Sequence, residues 1–215
     1  MVCLRKNTLR MLDKHFYYSI EKKVTAEFSD RGSRFIAYAF PITSIDEFKE
    51  HLNEVKKSHP KASHYCFAYR LGHEGNIYRV SDAGEPSGSA GRPILGQIDS
   101  RNLTNTLVVV VRYFGGTLLG VPGLINAYKS TASMALQLTP VIKKKLEVQY
   151  EIQFDYTVMN EVMMFIKKYE CTVLRQEQQL FSAFLLGVPL LYEEDVLKKC
   201  SEIRGLEIKK KAIQD

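Results

Sequence analysis

No stretch of about 18 apolar residues occurs in this 215-residue chain, which excludes an ordinary membrane-spanning helix. No C-x-x-C pair occurs either. The four cysteines, Cys3, Cys66, Cys171 and Cys200, are scattered, which argues against a disulfide framework or a structural zinc site. The residues Met1 to Lys14 mix Arg5, Lys6, Arg10, Asp13 and Lys14 with isolated apolar side chains and lack the continuous apolar core of a secretion signal. These absences lead us to expect a cytoplasmic, reduced protein with no membrane contact. There is no G-x-G-x-x-G, no G-x-S-x-G and no H-x-x-x-H among the five histidines, so dinucleotide binding, hydrolase-elbow chemistry and histidine metal ligation lose their usual support. No cofactor and no metal is expected.

What is present is an ordinary globular composition, 45% hydrophobic and 25% charged, with a formal charge of +6. The charge is uneven. Residues 1–140 hold 18 Lys and Arg against 12 Asp and Glu, whereas residues 141–215 hold 12 of each. An excess confined to one half suits an anionic partner such as RNA, and equally suits a well-solvated surface.

The second half is the plainer to read. In "LEVQYEIQFDY", Val148, Tyr150, Ile152 and Phe154 alternate with Gln149, Glu151, Gln153 and Asp155, the period of a strand with one wet face. An amphipathic helix follows in "TVMNEVMMFIKKYE", then two strands in "CTVLRQEQ" and "QLFSAFLLGV", a helix in "PLLYEEDVLKKCSEIRG" and a last strand in "LEIKKKAI". The order β-α-β-β-α-β predicts a ferredoxin-like domain. Its boundary is expected near Pro140, giving domains 1–140 and 141–215. The run Lys143–Lys145 reads as a solvated linker or strand approach, with a nucleic-acid patch as the alternative.

The first half reads as mixed α/β. "FYYSIEKKVTAEFS" and "RFIAYAFP" are two expected strands, "TSIDEFKEHLNEVKKSHP" a helix capped by Ser44, and "ASHYCFAYRLG" and "NIYRVSD" further strands. The five-residue apolar run of "TNTLVVVVRYF" predicts a central strand covered on both faces. That strand runs straight into Arg112, and four glycines follow within nine residues before the helix "GLINAYKSTASMALQL".

Eight of the thirteen glycines fall between Gly84 and Gly123, seven of them in "SDAGEPSGSAGRP" and "GGTLLGVPG", segments that each lead into a helix. Glycine permits positive φ and close backbone approach. Placed before helix starts it exposes N–H groups that favour anions. On that reading Gly88, Gly91, Gly115, Gly116, Gly120 and Gly123 supply amides, while Arg92, Arg112 and Lys129 supply cations for phosphate. The bland alternative is that the glycines make tight turns and let helices pack closely. Gly115 and Gly120 have P-loop spacing, but Val121-Pro122 stand where lysine and a hydroxyl would hold phosphate and magnesium. No catalytic residue is assigned. Asp82 and Glu85 are weak candidates for acid/base work, with turn and helix capping as the competing role. His64 and Cys66, at i and i+2 of a strand, form a conceivable dyad, outweighed by a packed core cysteine.

"SDAGEPSGSAGRPIL" followed by "VVVVRYFGGTLLGVPGLINAY" resembles the double signature of the IMPACT/YigZ family. The pattern matches at Ser81, Asp82, Gly84, Glu85, Pro86, Gly91, Pro93, Arg112, Tyr113, Phe114, Gly115, Gly116, Leu119, Gly120, Gly123, Leu124 and Tyr128. Two positions depart from it: Ala83 replaces a usual aspartate, and Pro122 replaces a usual glycine. The resemblance implies an α+β protein of two domains. The first would be similar to the second domain of a small-subunit ribosomal protein. The second would be similar to the ferredoxin-like C-terminal domain of the translocating elongation factor. It implies a translation-linked regulator that binds RNA or the ribosome without catalysis. A protein-interaction adaptor, and an enzyme acting on a phosphorylated or nucleotide-like small molecule, stand as alternatives. Longer eukaryotic members carry a further N-terminal domain and restrain a kinase that inhibits translation initiation. This chain is expected to have no room for that domain, so the role is not carried over.

Overall fold

The computed structural model describes residues 15–178 and 182–211. The expectations for Met1–Lys14 and Cys3 lie outside the described residues. The chain forms two compact units, residues 17–144 and residues 145–211 with His15 and Phe16. The division lies past Pro140 because the strand Val141–Lys145 (β7) pairs back with Phe16–Ile20 (β1) as a two-stranded sheet. The lysine run is therefore strand, and Lys145 pairs with Glu170. "FYYSIEKKVTAEFS" is accordingly two strands, not one. The chain bends at Glu21, whose amide donates to the Pro140 carbonyl at 3.1 Å, and resumes as Val24–Asp30 (β2).

The first unit is built on a five-stranded antiparallel sheet. Val24–Asp30, Ser33–Pro41 (β3), Thr106–Tyr113 (β6), His64–Leu71 (β4) and Ile77–Ser81 (β5) lie in the spatial order β2-β3-β6-β4-β5. Ser44 caps the helix Ile45–Ser58 (α1) by accepting from the Glu47 amide, as the sequence predicts. Phe48 and Val55 of α1 cover one sheet face, packing with Leu107, Val109 and Val111. The helices Gly91–Ser100 (α2) and Gly120–Gln137 (α3) cover the other, packing with Val108 and Val110. The apolar run thus buries both faces of a central strand, and full burial of each such side chain is worth about 1.5–3 kcal/mol. Helix α3 begins at Gly120, earlier than the expected Gly123, because Pro122 fits the first turn, where no N–H is needed.

The second unit contains Glu147–Phe154 (β8), Met159–Lys168 (α4), Thr172–Gln178 (β9), Ser182–Pro189 (β10), Glu193–Glu202 (α5) and Leu206–Lys210 (β11). The strands order as β11-β8-β10-β9 with every neighbour antiparallel, a ferredoxin-like sheet. Tyr150, Ile152 and Phe154 face the core with Val162, Phe165, Phe184 and Val196. Gln149, Glu151 and Gln153 alternate onto the opposite face, as their period requires. No helix of the described residues is long and apolar enough to cross a membrane.

Candidate functional site

Strand direction gathers both glycine-rich segments at one end of the first unit's sheet. There β3 begins at Ser33, β4 begins at His64, β5 ends at Ser81 and β6 ends at Tyr113. In the antiparallel register Arg112 lies opposite Phe35 on one side and His64 on the other. Because side chains alternate, Arg112 follows Val108 and Val110 onto the face covered by α2 and α3. An arginine continuing a buried strand on its buried face must find a counter-charge.

It finds Glu85. Arg112 Nη1 donates to Glu85 Oε1 at 2.7 Å, and the Tyr128 hydroxyl donates to the same oxygen at 2.7 Å. Arg112 Nη2 lies 3.3 Å from the Ser33 hydroxyl, which also accepts from the Gly115 amide at 3.2 Å. The guanidinium is sandwiched between the rings of Phe35 and Phe114, 5.4 and 5.5 Å from their centroids. The side chains of Arg112 and Glu85 are only 6% and 4% exposed. Arg112 is therefore not the accessible anion clamp expected from the sequence. Its charge is neutralised inside the protein, and it ties β6 to the first glycine segment, to α3 and to the β2–β3 turn.

The first glycine segment is closed on itself. The Asp82 carboxylate accepts from the amides of Gly88, Ala90 and Gly91 at 2.9, 3.0 and 2.8 Å. Burial alone would raise its pKa, but the three N–H donors and nearby Arg92 outweigh that and hold it below the usual carboxylate range. The expected anion-binding role of Gly88 and Gly91 is corrected accordingly, since their N–H groups already serve Asp82. Gly91 is glycine for packing, because a Cβ there would lie 2.8 Å from the Ser81 nitrogen. Neither carboxylate has the freedom of an acid/base catalyst. Asp82 caps amides, and Glu85 is the arginine's counter-ion instead of the turn cap anticipated for it.

The dyad reading of Cys66 and His64 is not supported. Cys66 Sγ lies 3.0 Å from the Asp82 carbonyl oxygen and 3.3 Å from the Tyr128 hydroxyl, and burial pushes its thiol up to about 12. A thiol so shifted supplies no nucleophilic thiolate near neutral pH. His64 Nδ1 lies 2.9 Å from the Ala83 carbonyl, which only accepts, so that nitrogen carries a proton. Its Nε2 faces Glu85 Oε1 at 3.9 Å. No group of three or more His, Cys, Asp or Glu among the described residues is placed to hold a metal.

The second glycine segment differs. Gly115 lies directly on Gly32, where a Cβ would come within 1.9 Å of the Gly32 carbonyl carbon. Beyond it the chain opens outward. Gly115, Gly116 and Gly120 are exposed and Gly123 is half-buried. The amides of Gly116, Thr117 and Leu118 find no acceptor among the described residues. Helix α3 has no capping side chain and no carboxylate in its first turn. Arg92 and Lys129 are exposed, and Arg31, not foreseen as a site residue, is exposed beside Gly32. Ser33 and Tyr128 also went unnoticed as site residues. One signal pointed to part of this arrangement: a buried arginine requires a carboxylate, and the glycine-rich segments offer only Asp82 and Glu85.

With this geometry in view, known proteins give a consistent picture. The Impact N-terminal domain family matches residues 31–136. IMPACT family member YvyE of Bacillus subtilis is 36% identical over 69% of this chain and 68% of its own length. An IMPACT family member of Haemophilus influenzae is 32% identical over 80% of this chain and 84% of its own. A solved structure titled as that of a hypothetical protein superposes with a TM-score of 0.70 at 27% identity, covering 94% of this chain and 98% of that one.

Proposed function

The chain belongs to the IMPACT family, and from that premise we propose that it is a translation-linked regulator that binds RNA or the ribosome and performs no turnover. One observation carries the reading. At the glycine-rich end, Asp82, Glu85 and Cys66 are all engaged internally, while Arg31, Arg92 and the amides of Gly116 to Leu118 stand as donors, with Lys129 exposed further along α3. General acid/base or nucleophilic chemistry needs an accessible group of tuned pKa. Phosphate binding needs accessible donors and positive charge.

Two further features favour contact through this unit. No Asp or Glu occurs between Asp99 and Glu147, so nothing in that stretch repels a phosphate backbone. In the second unit, the sheet face opposite the helices carries Gln149, Glu151, Gln153, Arg175, Leu185 and Lys209. That face presents no aromatic ring among the described residues and offers no platform for stacking bases. The likeness of both folds to translation-machinery domains, implied by the family resemblance, supplies the link to translation.

The test is a titration of structured and single-stranded RNA at two salt concentrations. Binding should weaken steeply as salt rises, and the double variant Arg92→Ala/Lys129→Ala should reduce the salt slope by about 2. Absence of binding at low salt would remove the reading.

A further inference from the structure

The outer side of α3 carries a feature that phosphate binding does not use. Leu118 is 83% exposed, Val121 46% and Ile125 38%. Val121 and Ile125 lie one turn apart on α3, Lys129 continues their line one turn on, and Leu118 stands in the loop just ahead of the helix. The opposite side of the helix is buried through Leu124, Ala127, Tyr128, Thr131 and Ala135. Three aliphatic side chains in a row give nothing to an RNA backbone and offer no flat ring to a base. Phe114, the aromatic residue of the adjoining loop, already lies over Arg112.

We propose that this strip is a docking site for an acidic amphipathic segment of a partner protein. The choice of occupant rests on charge. Lys129 is the only charged side chain on α3, and the helix lies in the stretch from 100 to 146 that contains no carboxylate. The loop ahead of it presents the amides of Gly116 to Leu118 with no acceptor of their own. A segment bearing leucine-like side chains packs them on Leu118, Val121 and Ile125. Its carboxylates meet Lys129 and the loop amides. A basic segment would find no acid to pair with on α3 or in the loop ahead of it. The site is one-sided, a helix face receiving an amphipathic helix or turn. It shares Lys129 and the loop amides with the proposed phosphate contacts, and its apolar side chains set it apart from them.

The probe is a synthetic amphipathic helix with leucines at helical spacing and glutamates elsewhere, titrated by fluorescence anisotropy beside its counterpart with lysine in place of glutamate. The acidic peptide should bind and the basic one should not. The double variant Val121→Ser/Ile125→Ser changes no charge and alters only exposed positions outside the phosphate-binding groups. It should lower affinity for the acidic peptide at least tenfold while leaving RNA affinity unchanged, which separates failure here from failure of the RNA reading. Circular dichroism and thermal unfolding of the variant confirm that it is folded. The proposal is overturned if the acidic peptide does not bind, if the basic peptide binds as well, or if the double variant binds the acidic peptide normally. It is also overturned if the double variant loses RNA binding, which would make the strip a nucleic-acid contact. Concentration-dependent self-association of the full chain that the double variant abolishes would assign the strip to a second copy, and would overturn it too.

Discussion

Two glycine-rich segments leave the same end of one sheet, each leading into a helix, and they do opposite things with their amides. In the first, Asp82 accepts from Gly88, Ala90 and Gly91, so the segment is a closed turn. In the second, Ser63 and Ser33 take the amides of Phe114 and Gly115, and the next three N–H groups remain without a described acceptor. The difference is one carboxylate. Glycine content marks where a backbone can bend and approach closely. Whether the exposed N–H groups are available to a ligand depends on whether a nearby side chain has already satisfied them.

That contrast is most severely broken by removing the link between the segments. Glu85→Gln leaves the Arg112 guanidinium buried without its counter-charge, and breaking a buried pair in this way costs about 3–5 kcal/mol. Urea unfolding should show a loss of that order, and a loss below about 1 kcal/mol would mean that Arg112 finds solvent or another partner.

A smaller effect is expected on the closed segment alone. Asp82→Asn removes the charge that faces three amides and should cost about 0.5–2 kcal/mol, the range of a helix cap. Its sign with pH is fixed. The folded-state pKa of Asp82 lies below the unfolded value of about 3.9, so its contribution is complete above that pH and is lost as pH falls through the folded pKa. Stability curves of wild type and Asp82→Asn measured from neutral to acid pH should therefore converge at the acid end. Parallel curves would assign the effect to shape instead of charge.

The smallest change should run the other way. Ala83 holds φ at 46°, a left-handed conformation that an alanine tolerates poorly. Ala83→Gly should raise the midpoint of thermal unfolding, corresponding to about 0.5–1 kcal/mol. A fall would show that the alanine methyl packs usefully.

Much of the architecture could be read directly from residue patterns. The alternation of Val148, Tyr150, Ile152 and Phe154 placed β8 and its buried face, and the run Leu107–Val111 placed a central strand. Ser44 and Pro60 bracketed α1. The break inside "FYYSIEKKVTAEFS" was not legible, because it depends on a hydrogen bond from Glu21 to Pro140, far away in sequence. The site was legible as a place and not as an arrangement. Arg112 and Glu85 stood out, but as a free clamp and a candidate acid, and nothing local to either announced that they neutralise each other.

The sequence by itself determined the strands, the helices, the order of the ferredoxin-like unit and the location of the two glycine-rich turns, since periodicity, capping and backbone freedom act over neighbouring residues. Only the tertiary structure decided which amides and charges stay available. Arg112, Glu85, Tyr128 and Ser33 come from four separate parts of the chain, and low-dielectric burial forces them to satisfy one another wherever the sheet register brings them together.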